Sequence, residues 1–121
     1  MKLPGPDHPI TVTPNPKRVV VTFGGRVVAE STHALTLQES TYPAVQYVPR
    51  TEADMALLER TTHATECPYK GHANYFNLKV DGRTAENAVW TYETPHPAMA
   101  IIKNHLAFYP NRVDSIEERP A

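Results

Sequence analysis

The chain has 121 residues, 12 basic and 13 acidic side chains, and a formal net charge of −1. Because phosphate binding requires a basic surface and no basic block is present, we expect no nucleic acid partner. No apolar run reaches the roughly 18 residues that would cross a membrane, and the N-terminus MKLPGPDHPI lacks the apolar segment of a signal peptide. The single cysteine excludes an internal disulfide and fits a reducing compartment, so the expected location is a bacterial cytoplasm.

The first part of the chain predicts an arm followed by strands. Residues 1–17 contain five prolines and predict a proline-rich N-terminal arm with a short strand at 10–13, ahead of a single domain over 18–121. Two β-branched runs, RVVVTF and RVVAE, flank a Gly-Gly pair and predict a β-hairpin. Residues 33–38 predict a third strand. Residues 44–48 have a proline on each side, which favours an edge strand.

The second part of the chain predicts two short helices and a long hairpin. TEADMALLER has an N-cap arrangement and one apolar stripe, which predict a helix of about two turns. The segment TPHPAMAIIKNH has a proline at a position that suits the first residue of a helix, and it predicts a second short helix. Residues 61–67 read as extended, Asp81-Gly82 predicts a tight turn between two strands, and further strands are expected at 106–109 and in DSIEERP. With about seven to nine short strands, the fold class is mainly β in one domain.

Register arithmetic assigns the long hairpin two different faces. With a two-residue loop, Val80 faces Arg83, and Tyr75 is predicted to lie opposite Ala88. The face with aromatic and polar side chains could line a pocket in which hydroxyls and an indole N–H fix a ligand, or it could be a second core layer or a partly solvated face. Its members are Tyr75, Asn77, Lys79, Glu86, Ala88, Trp90 and Tyr92. The opposite, plain core face consists of Phe76, Leu78, Val80, Ala85 and Val89.

The stretch ECPYKG, residues 66–71, contains the only cysteine. A cation such as Lys70 or a histidine near Cys67 would favour its thiolate, and a Cys–His pair is the minimal nucleophile–base arrangement. His63 shares a strand face with Cys67, but four residues of strand separate them by roughly 13 Å, so a histidine would have to come from elsewhere in the fold. Cys67 is therefore a candidate catalytic residue, with a buried inert cysteine as the alternative.

The sequence gives little support for a metal or a cofactor, and none is expected. One cysteine cannot supply the paired C-x-x-C elements of structural zinc, and the six histidines lack H-x-x-x-H and H-E-x-x-H spacing. No glycine-rich loop leads into a helix. Lys70-Gly71 could hold an anion through an amine and a backbone N–H, or Lys70 could be a solvated turn residue.

Several motifs occur in a characteristic order: YVPR at 47–50, LLER at 57–60, CPYKG at 67–71, W-x-Y at 90–92 and FYP at 108–110. With these motifs the chain resembles, from residue 18 to 114, the small bacterial family catalogued as domain-of-unknown-function family 427. The resemblance implies a β-tent-like fold of two antiparallel sheets, similar to B-type methionine sulfoxide reductases and zinc-binding adaptors. This chain lacks their C-x-x-C pairs, so zinc is not carried over. A nucleotidyltransferase-like label attached to the family would require a Gly-Ser pair and paired aspartates, which are absent.

Three functions remain open from the sequence. The first is a domain that binds a small or anionic ligand in an aromatic-lined cleft beside the CPYKG turn. The second is an enzyme that uses Cys67 as nucleophile or redox thiol; with no second cysteine, a redox cycle would need an external thiol. The third is an interaction module that forms a homo-oligomer through exposed edge strands. The candidate ligand-binding residues are Arg50, Tyr69, Lys70, Tyr75, Trp90 and Tyr92.

Overall fold

A computed structural model describes all 121 residues and has ten β-strands and three 3-10 helices. The predicted mainly β fold with two antiparallel sheets is confirmed. The strands are β1 (Ile10–Pro14), β2 (Arg18–Phe23), β3 (Arg26–Ser31), β4 (Leu35–Glu39), β5 (Val45–Pro49), β6 (Leu58–Cys67), β7 (Gly71–Val80), β8 (Arg83–Pro95), β9 (His105–Phe108) and β10 (Ser115–Arg119). The 3-10 helices are η1 (Arg50–Glu52), η2 (Met55–Leu57) and η3 (Pro97–Ile102).

The strands form one large and one small sheet. The large sheet has the order β1-β4-β5-β9-β8-β7-β6, and the small sheet has the order β10-β2-β3. The prediction that residues 44–48 form an edge strand is wrong, because β5 lies between β4 and β9. Its prolines do not prevent this position, since Pro43 precedes the strand and Pro49 is its last residue.

The helical segments are shorter than the sequence pattern predicts. In TEADMALLER the chain makes two separate 3-10 turns, and Leu58 already pairs with Leu78 as the first residue of β6. The predicted N-cap, Thr51, does not cap a helix; Asp54 instead caps the second turn, where its side chain accepts a hydrogen bond from the backbone N–H of Ala56 at 3.2 Å. None of the three segments has the length and apolar character needed to cross a bilayer.

Two hydrophobic cores lie on opposite faces of the large sheet. The first core fills the space between the sheets, with Val19, Val21 and Phe23 of β2 among its members. Successive side chains of a strand alternate between faces, so Phe76 joins this core and its neighbour Tyr75 joins the second one. The second core is rich in tyrosine and is covered in part by η3. Its members are Leu37, Tyr47, Ala73, Tyr75, Tyr92, Met99, Ile102 and Ala107.

The register of the β7–β8 hairpin differs from the simple two-residue-loop prediction. Val80 pairs with Arg83 as expected, but Tyr75 pairs with Trp90 rather than with Ala88. The reason is a β-bulge. Phe76 pairs with Val89 and Leu78 pairs with Ala85, so an advance of two residues along β7 lies opposite an advance of four residues along β8. Ala88 was predicted on the aromatic face, and it lies instead in the core between the sheets, with no exposed surface.

Candidate functional site

A pocket of about 220 Å³ opens on the second core. β4, β5, β7 and β8 all contribute to its wall, and so does the turn between β6 and β7. Most of the lining is aromatic or aliphatic, and two charged side chains lie among these residues. The lining residues are Leu37, Glu39, Tyr42, Pro43, Val45, Tyr47, Lys70, Tyr75, Trp90, Tyr92 and Tyr109.

The charged pair of the pocket consists of Lys70 and Glu39. The Lys70 Nζ lies 2.5 Å from Oε1 of Glu39, and Nε2 of His8 lies 2.7 Å from the other carboxylate oxygen. Burial alone would raise the pKa of Glu39, but the hydrogen bonds from Lys70 and His8 outweigh it and hold the pKa below its ordinary value. Lys70 is 9% exposed, which is unusual for a lysine.

The CPYKG turn fixes the position of Lys70. Cys67 ends β6 and Gly71 begins β7 at a φ of +113°, a conformation that side chains other than glycine rarely adopt. The Lys70 carbonyl accepts a hydrogen bond from the backbone N–H of His96 at 2.8 Å. A Cβ atom at residue 71 would lie 3.2 Å from the same His96 nitrogen. The turn therefore packs against the start of η3, and a side chain at residue 71 would make a tight contact with the His96 backbone.

The N-terminal arm covers the outside of this turn. The His8 ring stacks on the Tyr69 ring with a centroid distance of 4.1 Å and an interplanar angle of 6°. The backbone N–H of Lys2 donates to the carbonyl of Pro68 at 2.8 Å, and that of Ser40 donates to the carbonyl of Pro9 at the same distance. The arm thus brings an imidazole to the charged pair from the far end of the chain.

The pocket tyrosines differ in their hydrogen bonding. The Trp90 indole N–H donates to the Tyr47 hydroxyl at 3.2 Å, and the Tyr75 hydroxyl lies 2.9 Å from Thr65 Oγ1 and 3.5 Å from the Tyr109 hydroxyl. The Tyr92 hydroxyl has no such partner, although Tyr92 is only 5% exposed. Burial raises the pKa of Tyr47 and of Tyr92, and together with the Tyr75 hydrogen bond it raises the pKa of Tyr109 to about 12.

The structure brings four of the six predicted ligand-binding residues together in this pocket: Lys70, Tyr75, Trp90 and Tyr92. Tyr69 lies beside the pocket wall, stacked on the arm. Arg50 lies apart from these pocket residues. Its side chain donates a hydrogen bond to Oε2 of Glu93 at 3.2 Å, and Arg60 binds the same carboxylate.

Several residues of the site were not among those predicted, and four of them, His8, Glu39, Tyr47 and Tyr109, contribute hydrogen-bonding groups. Tyr47 and Tyr109 belong to the YVPR and FYP motifs, so the motifs already contained a signal for them. His8 and Glu39 are distant in sequence from the CPYKG turn and are brought to it only by the fold. No local pattern marks either residue as part of a site.

The thiol of Cys67 has an amine rather than an imidazole as its neighbour. Lys70 Nζ lies 3.8 Å from Cys67 Sγ, and the thiol is half-buried against the second core. The His63 ring packs on the Tyr75 ring at a centroid distance of 4.5 Å, so this histidine is part of the aromatic cluster. No three His, Cys, Asp or Glu side chains converge in a way that would hold a metal ion.

Comparison with known protein families gives a match over most of the chain. The model of a family described as "Domain of unknown function (DUF427)" matches residues 11–119, which is most of the chain. No curated protein matches the chain. The matched region contains every pocket-lining residue, whereas His8 lies outside it.

Proposed function

The chain belongs to the DUF427 family, and on this premise we propose that it binds a small anionic ligand in the aromatic pocket beside the CPYKG turn. The observation that carries the proposal is the buried amine of Lys70 in the pocket wall. An ammonium group has three N–H donors, and Glu39 and the Cys67 sulfur occupy two of them. One donor therefore remains for a ligand oxygen.

The rest of the pocket suits a planar body attached to the anionic group. The rings of Trp90, Tyr47 and Tyr109 present aromatic faces and edges, and the unpartnered Tyr92 hydroxyl supplies a second polar contact. Because Glu39 and Lys70 both line the pocket, the wall carries one charge of each sign. The remaining Lys70 N–H still offers an anionic oxygen a charge-assisted hydrogen bond, which a neutral ligand would receive only as a weaker one. Because His8 also binds Glu39, the carboxylate keeps one partner if the ligand draws Lys70 away from it.

Benzoate is a suitable probe, with benzamide as its uncharged control. Because Trp90 is the only tryptophan and lines the pocket, its emission responds to binding there. We expect benzoate to change this emission in a saturable manner and to raise Tm, with little effect from benzamide. An unchanged emission and Tm with benzoate and with other small aromatic acids would contradict the proposal.

Two variants identify the contacts. Lys70→Met should abolish benzoate binding, whereas Lys79→Met, at an exposed lysine paired with Glu59, should leave it unchanged. Because Lys70→Met also leaves Glu39 without its amine, Tyr92→Phe provides a milder second test. That variant removes only a hydroxyl and should weaken binding roughly fivefold, as expected for one lost hydrogen bond. Full benzoate affinity in both variants would show that the ligand binds elsewhere.

The distance of 3.8 Å between Lys70 Nζ and Cys67 Sγ favours an enzyme with Cys67 as nucleophile or redox thiol as the second candidate. A neighbouring ammonium stabilises a thiolate, so alkylation by iodoacetamide at neutral pH should be faster than for a free thiol and slower in Lys70→Met. Cys67→Ser gives the background rate. A rate at or below that of an unstructured cysteine peptide would rule out this candidate.

The proposed setting is a bacterial cytoplasm. The single half-buried cysteine supports this setting, since it needs no oxidising compartment for its folded state. Fractionation of the native host should then recover the chain with cytoplasmic marker proteins, and recovery with periplasmic or secreted markers would contradict it.

A further inference from the structure

A second cleft of about 320 Å³ lies between the two sheets and shares Trp90 and Val45 with the lining of the Lys70 pocket. Its deepest residues belong to the first core, and Val19, Val21 and Val48 are at most 1% exposed. Aliphatic and aromatic side chains form most of the wall. The lining residues are Val19, Val21, Ala44, Val45, Gln46, Val48, Trp90, Phe108, Pro110, Ile116 and Glu118.

The polar residues of the cleft are held in a defined arrangement by Asn15. This side chain, 6% exposed in total, donates from Nδ2 to Gln46 Oε1 at 3.0 Å and to Glu118 Oε1 at 2.8 Å. Gln46 Oε1 also accepts from Thr36 Oγ1 at 3.0 Å. The amide oxygen of Gln46 is thus occupied twice, whereas its NH₂ group has no protein partner. The cleft therefore offers an unused neutral donor beside a carboxylate.

The charged residues of its lining distinguish this cleft from the Lys70 pocket. Glu118 is the only charged residue in its lining, so the cleft disfavours an anion, whereas the Lys70 pocket offers an anion a charged N–H donor. A neutral molecule incurs no such penalty and gains from contact with the valines, Ile116 and Phe108. Trp90 and Val45 line both cavities, which differ in the charged residues of their walls.

We propose that the cleft is a second binding site, which takes a small uncharged molecule with an apolar body and one hydrogen-bond acceptor such as an alcohol oxygen. The acceptor receives a hydrogen bond from the free amide N–H of Gln46, and an alcohol O–H donates in turn to Glu118. The apolar body lies on the buried wall between the sheets. This site is independent of the ligand in the Lys70 pocket.

The test compares 1-hexanol with hexanoate by NMR of the full chain labelled with ¹³C at its isoleucine methyl groups. Ile116 lines the cleft, whereas Ile102 lies in the second core and Ile101 is exposed at the surface. We expect hexanol to shift the Ile116 methyl signal in a saturable manner and to leave the Ile101 signal in place. Hexanoate should bind there roughly tenfold more weakly, because of Glu118. No saturable Ile116 shift with hexanol, or equal affinity for both probes, would overturn the proposal.

Variants locate the site and its charge preference. Glu118→Gln keeps an acceptor for Asn15 and removes the negative charge, so it should bring hexanoate affinity to within about twofold of hexanol affinity. Ile116→Glu should abolish hexanol binding, as read from Trp90 emission, while the matched change Ile101→Glu should not. Lys70→Met should leave the hexanol response unchanged. A response that Lys70→Met removes and Ile116→Glu spares would place the alcohol in the other pocket and refute the second site.

Discussion

The amine of Lys70 lies 2.5 Å from a carboxylate oxygen of Glu39, a residue 31 positions earlier in the chain. Glu39 is the last residue of β4, and Lys70 lies in the turn between β6 and β7, so the contact joins opposite parts of the large sheet. Both side chains are largely buried, at 11% and 16% exposure. The pair therefore determines both the charge of the pocket and part of the stability of the fold.

Glu39→Gln should destabilise the protein by roughly 2 to 3 kcal/mol, because it leaves a buried ammonium without its counter-charge. Urea unfolding monitored by Trp90 emission measures this loss of free energy. Glu66→Gln is the matched control, because Glu66 pairs with His72 at the surface and its side chain is 70% exposed. The control should change the free energy of unfolding by less than about 0.5 kcal/mol. Equal effects of the two substitutions would show that burial of the Glu39 pair has no energetic importance.

The contribution of Glu39 should depend on pH in the acid range. Folding lowers its pKa, so its stabilising contribution is complete above the unfolded value of about 4.5 and is lost as pH falls through the lower folded value. The difference in unfolding free energy between the native chain and Glu39→Gln should therefore be retained at pH 5 and should shrink below about pH 4.5. A difference that grows on acidification would contradict the lowered pKa.

Gly71→Ala should destabilise the CPYKG turn by about 1 to 3 kcal/mol. The positive φ disfavours alanine, and the new Cβ would approach the backbone of His96. Gly25→Ala isolates the backbone effect, because Gly25 also has a positive φ but has no atom within 4 Å of a built Cβ. We expect a smaller loss there, measured by the same urea titration. A Gly25 variant as unstable as the Gly71 variant would mean that packing against His96 contributes nothing.

Alkaline pH should unfold the protein through its buried phenols. The pKa of Tyr109 is raised to about 12, so the folded state holds this proton more tightly than the unfolded chain, in which the value is about 10. Stability should therefore be unaffected below pH 10 and should decrease between pH 10 and 12. Tyr109→Phe should make this decrease shallower, as followed by near-UV circular dichroism and tyrosinate absorbance. Tyr42→Phe, at a ring that is 59% exposed, is the control and should leave the slope unchanged.

The hairpins were predictable because their signals are local. Asp81 and Gly82 both have positive φ values, as a tight two-residue turn requires, and Gly24 and Gly25 repeat this pattern between β2 and β3. The aromatic face of the long hairpin was also visible from strand alternation, which placed Tyr75, Trp90 and Tyr92 together.

The bulge and the charged pair were not predictable in this way. Asn87 has a φ of +48° within the bulge, and its backbone N–H donates to the Asn77 side chain at 2.8 Å. An asparagine tolerates this backbone conformation but does not require it, so its presence in the sequence does not reveal a shifted register. The choice of Glu39 among 13 acidic residues as the partner of Lys70 likewise depends on the order of strands in the sheet.

The imidazole that completes the charged cluster comes from outside the part of the chain that matches the DUF427 family, since His8 precedes residue 11. A chain trimmed to residues 11–119 would keep Lys70 and Glu39 but would expose one carboxylate oxygen and the Tyr69 ring to solvent. The choice of boundaries for expression therefore decides whether these two contacts of His8 are present. Ligand screens should retain the first ten residues, because a shortened chain would lack the His8 hydrogen bond to Glu39 and the His8 ring on Tyr69.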